Sequence, residues 1–170
     1  MTNVYETRLT GTPAHLQSLL RHFADLRDGT HGEVAVSRTE KENLYLKAVD
    51  FLQPYARQAL EEINRTLLLG EGLVTFSDIS RTKGGDLRAI WSLSWPDQKQ
   101  AAISPVIIEA VYGARFHHPH LRGATVGLWP LNVFSDADAA TELPTLRAIV
   151  AADLHNLVFQ SNFRIIPAIA

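Results

Sequence analysis

The chain has 170 residues, 46% of them hydrophobic and 20% charged, and contains no cysteine. A chain of this size buries roughly two-thirds of its unfolded surface, so it can carry its own core, and charge-driven disorder is excluded. Without cysteine there are no disulfides, thiolate metal sites or cysteine nucleophiles, and sixteen basic against eighteen acidic residues lack the Lys/Arg excess that phosphate-backbone binding requires.

Neither half departs from that balance: residues 1–85 carry ten basic and eleven acidic side chains, the remainder six and seven. The N-terminus Met1-Thr2-Asn3-Val4-Tyr5-Glu6 has neither the basic nor the apolar region of a signal peptide. No apolar run approaches the roughly 18 residues that span a membrane. A soluble, cytoplasmic chain is expected.

Val4 to Thr10 alternates loosely and predicts a first strand. Thr12 and Pro13 then look like an N-cap and first helical residue. Leu16, Leu19, Leu20, Phe23 and Leu26 follow at helical spacing as one apolar stripe. Glu33 to Ser37 reads as a short strand. Thr39-Glu40-Lys41-Glu42 has capping-box spacing and opens a helix carrying Leu44, Tyr45, Ala48, Val49 and Leu52. Pro54 starts another, through Ile63 and Leu67, with Gly70 as its stop. Asn64-Arg65-Thr66 matches a glycosylation sequon but lies inside this helix and is discarded.

The period then changes from helical to alternating. Leu73–Arg81 and Leu87–Trp95 predict a hairpin around Gly84-Gly85, where positive φ is needed. Trp91 and Trp95 are read as core residues on its buried face, and Pro96 ends it. Residues 105–112 fit strand or helix, with Val106, Ile107, Ile108 and Val111 favouring strand. Residues 115–123 read as a loop or strand end, and 124–134 as an edge strand interrupted at Pro130. Ser135-Asp136-Ala137-Asp138 is capping-competent. Leu146, Ile149, Val150, Leu154 and Leu157 then mark a helix from about Pro144 to Gln160, and Phe163 to Ile169 predicts a last strand.

Chemistry concentrates in one segment. His118 and His120 point to the same side of an extended backbone, and His117 to the other. Such a pair can give two imidazoles to a divalent metal that takes a third ligand from elsewhere. His155, Asp153, Glu109, His31 and His15 are candidates, and none announces itself by spacing. The simpler reading is polar loop histidines, with Pro119 fixing a turn. Arg115 and Arg122 bracket the segment and could hold a carboxylate or phosphate through planar, two-pronged donors. The simpler reading there is surface arginines, or ion pairs with Glu109 or Asp153.

The remaining features are weaker. Arg81 to Arg88 forms a basic hairpin tip without P-loop spacing. His15 and His22, seven apart, share a helix face that reads as solvent-facing. No G-x-S-x-G elbow, H-E-x-x-H or G-x-G-x-x-G fingerprint is present.

Trp129-Pro130 followed by Asp153-Leu154-His155-Asn156-Leu157, Asn162 and Arg164 resembles fragments of the endonuclease I family of ββα-metal nucleases. That resemblance implies nucleic-acid cleavage with a general-base histidine two residues before the Trp-Pro pair. Here that position is Gly127, so the base is missing.

Together these features predict residues 1–170 as a single α+β domain: a largely antiparallel sheet with about four helices packed mainly on one face. The function expected first is a binding or interaction domain for a small anionic ligand or a protein partner. Arg115, Arg122, His118 and His120 are its candidate residues. The alternative is a small metal-assisted or histidine-dependent enzyme using His118 and His120; nucleic-acid processing comes last. A sheet with a free face also predicts self-association, as a dimer.

Overall fold

The computed structural model describes residues 10–170. Except for Thr10, the strand expected over Val4–Thr10 lies outside them. Among the described residues, five helices accompany a five-stranded antiparallel sheet, an α+β fold. No helix is long and apolar enough to cross a membrane.

Helix α1 spans Ala14–Asp28 and ends at Gly29, whose φ of 71° is a left-handed C-cap. Its N-cap is Pro13, without a side-chain cap bond, rather than Thr12. The larger correction concerns its face. Leu16, Leu20, Phe23 and Leu26 are between 42% and 56% exposed, while Ser18, His22 and Asp25 are buried. The helix docks through polar groups. Asn132 Nδ2 donates to the Ser18 carbonyl at 2.9 Å, and Arg21 pairs with Asp138 at 3.2 Å. Asp25 accepts from Thr30 Oγ1, Gly32 N and Glu33 N at 2.7–3.0 Å. These bonds close the loop after α1, where only one bridge, His31 to Ala35, stands in place of the strand expected over 33–37.

Helix α2 is continuous from Arg38 to Thr66. Its capping box uses Ser37 and Glu40, one register before the pair expected at Thr39: Glu40 N donates to Ser37 Oγ at 3.2 Å, and Ser37 N to Glu40 Oε2 at 2.9 Å. The expected break at Pro54 does not occur. Proline leaves the carbonyl four residues back without its donor; here that residue, Asp50, and Pro54 are both exposed, so water can serve the freed oxygen. After Thr66 the chain turns, and Asn64 clasps Gly72 through both its N–H (2.8 Å) and its carbonyl (3.1 Å).

Strands β1 (Leu73–Arg81) and β2 (Leu87–Ser94) form the expected hairpin, with Phe76 opposite Trp91 and a bulge between Ser77 and Ser80. Of the two turn glycines, Gly85 has positive φ. Pro96 opens a short helix α3 (Pro96–Gln100) not foreseen in the sequence. Val106–Tyr112 is strand β3, as the β-branched residues favoured. Strands β4 (His120–Arg122) and β5 (Trp129–Pro130) complete a sheet in the order β1-β2-β3-β4-β5. The edge strand expected over 124–134 shrinks to two residues because 123–128 is pulled into a loop. Helix α4 (Asp136–Thr141) starts at Ser135, whose side chain accepts from Asp138 N. Helix α5 (Leu143–Gln160) follows as expected. The strand expected over Phe163–Ile169 is instead two 3-10 turns, Phe163–Ile165 and Pro167–Ile169. Asn162 caps the first, and Pro167 has no N–H to give a sheet ladder.

Alternation along β2 and β3 separates two sheet faces. Ala89, Trp91, Leu93, Ile108 and Ala110 are fully buried on one, with α2 (Tyr45, Leu52, Leu60) and α5 (Leu146, Val150, Leu157) in the same core. Three of its large aromatics have their polar atoms satisfied. Trp91 Nε1 donates to Gln53, Trp95 Nε1 to the Ile165 carbonyl and Tyr45 OH to the Ala110 carbonyl, at 2.6–2.8 Å. Each such side chain contributes roughly 1.5–3 kcal/mol by leaving water. The other face carries Arg88, Ile90, Ile107, Glu109, Val111, His120 and Arg122.

Candidate functional site

Strand register assembles the centre of this second face. Glu109 lies opposite Arg122 on β4, and Val111 lies between Arg88 and His120. Glu109 is only 1% exposed, and its two oxygens are taken separately by Arg88 Nε and Arg122 Nε. Burial alone would raise the Glu109 pKa, but the two guanidiniums prevail and hold it below the usual range. A lone buried carboxylate would be strongly destabilising, so the triple is mutually dependent. Each arginine uses only Nε. The other guanidinium N–H groups of Arg88 and Arg122 have no hydrogen-bond partner among the described residues, and these side chains are 38% and 40% exposed.

Two cavities meet over this triple. The first, about 480 Å³, is lined by Arg88, Glu109, Arg122 and the loop 123–128. The second, about 460 Å³, is lined by Arg115, Arg122, His120, Phe116, Val111 and Leu128 among others. Arg122 and Leu128 belong to both, so they form one groove.

Both walls are fixed by helices. β4 pairs only with Glu109–Val111, which leaves the Ile107 N–H on that edge without a strand partner. Asp153 of α5 takes it at 3.2 Å and also accepts Thr125 N and Oγ1 at 2.7 and 2.6 Å. Asn156 donates to the same Thr125 hydroxyl. A side chain at Gly123 would press on the Asp153 carboxyl at 3.1 Å, so glycine lets the loop come this close without displacing it. On the opposite wall, Arg38 of α2 donates to the carbonyls of Tyr112, Gly113 and Phe116 and lies 3.5 Å over the Tyr112 ring. Ala114 N donates to Asp86 at 2.6 Å. These bonds hold the turn that presents Arg115, which has no ion pair or hydrogen bond among the described residues.

The four candidate residues are thus not brought together in one cavity. Arg115, Arg122 and His120 line the groove, and His118 does not. His118 is buried, with Nε2 at 2.7 Å from the Thr30 carbonyl, so Nε2 carries the proton. Its ring lies 5.1 Å from that of His22 and 5.5 Å from that of His31; His22 and His120 are 6.2 Å apart. His22, expected at the surface with His15, is therefore part of a cluster of four imidazoles, of which His22, His31 and His118 are buried. Burial, then neighbouring histidines, lowers the His22 pKa; burial, then His118, lowers His120. Burial lowers His118 too, against the Thr30 bond. His31 is pushed down to about 4, by burial first and His118 second.

As a metal pair, His118 and His120 meet this arrangement: among the described residues no three histidine or carboxylate groups stand so as to hold a metal ion. Of the proposed third ligands, only His31 reaches the cluster. Asp153 is occupied by Thr125 and Ile107, and Glu109 by its two arginines. His155 is exposed and stacked on Phe159.

Sequence reasoning placed Arg88 only in a basic hairpin tip, read His22 as solvent-facing, weighed His31 only as one of several third metal ligands, and weighed Glu109 only as a ligand or ion-pair partner. Alternation along β2 and β3 was the available signal for Arg88 and Glu109, because it puts both on the face away from the tryptophans. Nothing local signals that His22 and His31 approach His118. The Asp153 and Asn156 of the nuclease-like fragment serve the loop at Thr125. Comparison with family models, with curated proteins and with solved structures gives no match.

Proposed function

We propose that this chain is a binding module for a small anion, taken up in the groove on the open sheet face. The observation that carries the reading is the placement of Arg115, Arg122 and His120 in one cavity, with Arg88 beyond Arg122 in the next. Three guanidiniums face two carboxylates there, Glu109 and Asp86, and the unused N–H donors of Arg115 and Arg122 suit an oxyanion. Two charge-assisted contacts in a solvated groove support a Kd near the millimolar range, roughly −4 kcal/mol.

Titrating the protein with inorganic phosphate and with sulfate, followed by amide NMR shifts, tests this. Saturable shifts are expected at residues 113–123, weakened at least about fivefold by Arg115→Gln, a substitution that leaves the Glu109 triple intact. Absence of saturable shifts with both anions rejects the reading.

A specific observation also favours self-association: the exposed stripe of α1. In an antiparallel pair of α1 helices centred on Arg21, Leu16 meets Leu26 and Leu19 meets Phe23. A two-fold interface needs this kind of self-complementarity.

A further inference from the structure

Resting on the anion-binding reading, we infer that the ligand is an aryl oxyanion: a flat apolar ring bearing a carboxylate or a phosphate monoester. The cavity that holds Arg115 and Arg122 is not a polar pit. Two of its walls are the exposed large hydrophobics Phe116 and Leu128, 51% and 47% exposed, with Val111 on the floor. At about 460 Å³ it falls in the size class of organic-ligand pockets, and an inorganic ion would leave those side chains in water.

The apolar wall is also held in place. Phe116 N donates to the Gly113 carbonyl at 3.0 Å, and Arg38 holds the far side of the turn by donating to the Phe116 carbonyl at 3.1 Å. The Phe116 ring packs so closely on Gly113 that a side chain there would collide with it. The edge-on contact of Phe116 with His120, ring centroids 5.5 Å apart, orients the ring further. A fixed aromatic face beside two guanidiniums selects a flat body: ring stacks on ring, and a guanidinium plane stacks on either. The head group then reaches Arg115 and Arg122 with the ring between Phe116 and Leu128. Val111 and Ala114 add apolar contact without adding polar groups that would need partners.

The test compares inorganic phosphate, phenyl phosphate, benzoate and cyclohexanecarboxylate by NMR titration. Phenyl phosphate is expected to bind at least about tenfold tighter than inorganic phosphate, and benzoate tighter than the non-planar cyclohexanecarboxylate. Phe116→Ala should bring the ratio of phenyl phosphate to inorganic phosphate affinity down to about one, whatever the absolute affinity of either; Leu128→Ala, checked for native circular dichroism, gives the same ratio readout should the first variant not fold. Equal binding of phenyl and inorganic phosphate overturns the aryl assignment while the anion site stands. Failure of every anion overturns both.

Discussion

Helices α1 and α2 are both amphipathic in sequence, yet they use their faces in opposite senses. α2 turns Tyr45, Leu52, Ala56 and Leu60 into the core, none of them measurably exposed. α1 turns Ser18, His22 and Asp25 inward and leaves its leucines and Phe23 outside. Helix α2 is held by the non-directional removal of apolar area from water. Helix α1 is held by a handful of directional bonds and by imidazoles that must stay neutral. Amphipathicity announces a face; it does not say which way the face points.

This contrast is sharpest in stability. Leu60→Ala in α2 should cost roughly 2–5 kcal/mol, read as a lowered urea midpoint, because it leaves a cavity in a closed core. A loss below about 1 kcal/mol would mean that α2 is no better anchored than α1.

Acidification should act on the other helix. Because the folded pKa of His31 is about 4, against 6.5 for the free side chain, the unfolded chain binds protons that the folded chain refuses. Stability is therefore complete above about pH 6.5 and falls as pH drops toward 4, by roughly 2 kcal/mol at pH 5 from His31 alone. His22, His118 and His120 act in the same sense, while nearby Lys41 contributes to keeping His31 and His118 neutral. Asp25 extends the loss to lower pH: burial opposes its ionisation, but hydrogen bonds from Thr30, Glu33 and Gly32 hold its pKa down. Urea midpoints at pH 7.5 and 5 measure the slope, and His31→Leu should flatten it. An unchanged slope would remove the cluster from the account of how α1 is held.

The smallest expected effect comes from Leu20→Glu on the exposed stripe. Monomer stability should change by no more than about 0.5 kcal/mol. The mass by light scattering should fall from dimer to monomer, and a wild-type protein already monomeric at micromolar concentration ends the self-association proposal.

Much of the fold was legible because the period of its apolar residues agrees with it. The hairpin of β1 and β2, the strand at Val106–Tyr112 and α5 all bury the residues that their spacing marks. Pro54 misled because its cost depends on whether Asp50 is solvated, a tertiary fact. Phe163 to Ile169 misled because an apolar run plugs a core equally well as turns, with Ile165 and Ile166 buried and Ala168 N bonded to Leu67. At the site, Arg115, Arg122 and His120 could be named from their clustering within eight residues of sequence. His118 could not be assigned, because its partners His22, His31 and Thr30 come from a segment some ninety residues away, as the 88-residue separation of its Thr30 contact shows.

The order of strands has a consequence for how the protein acquires its shape. Each strand pairs with its neighbour in sequence, from β1 through β5. Every pairing therefore closes a short loop, and topologies of that kind fold quickly because little chain entropy is lost before contacts form. Slow steps fall instead on partners distant in sequence: Asn132 with Ser18, His118 with Thr30, and Tyr45 with Ala110. Two of those three distant bonds seat α1 or the loop that follows it. The sheet can form as a growing meander, with α1 closing over the histidines at the end.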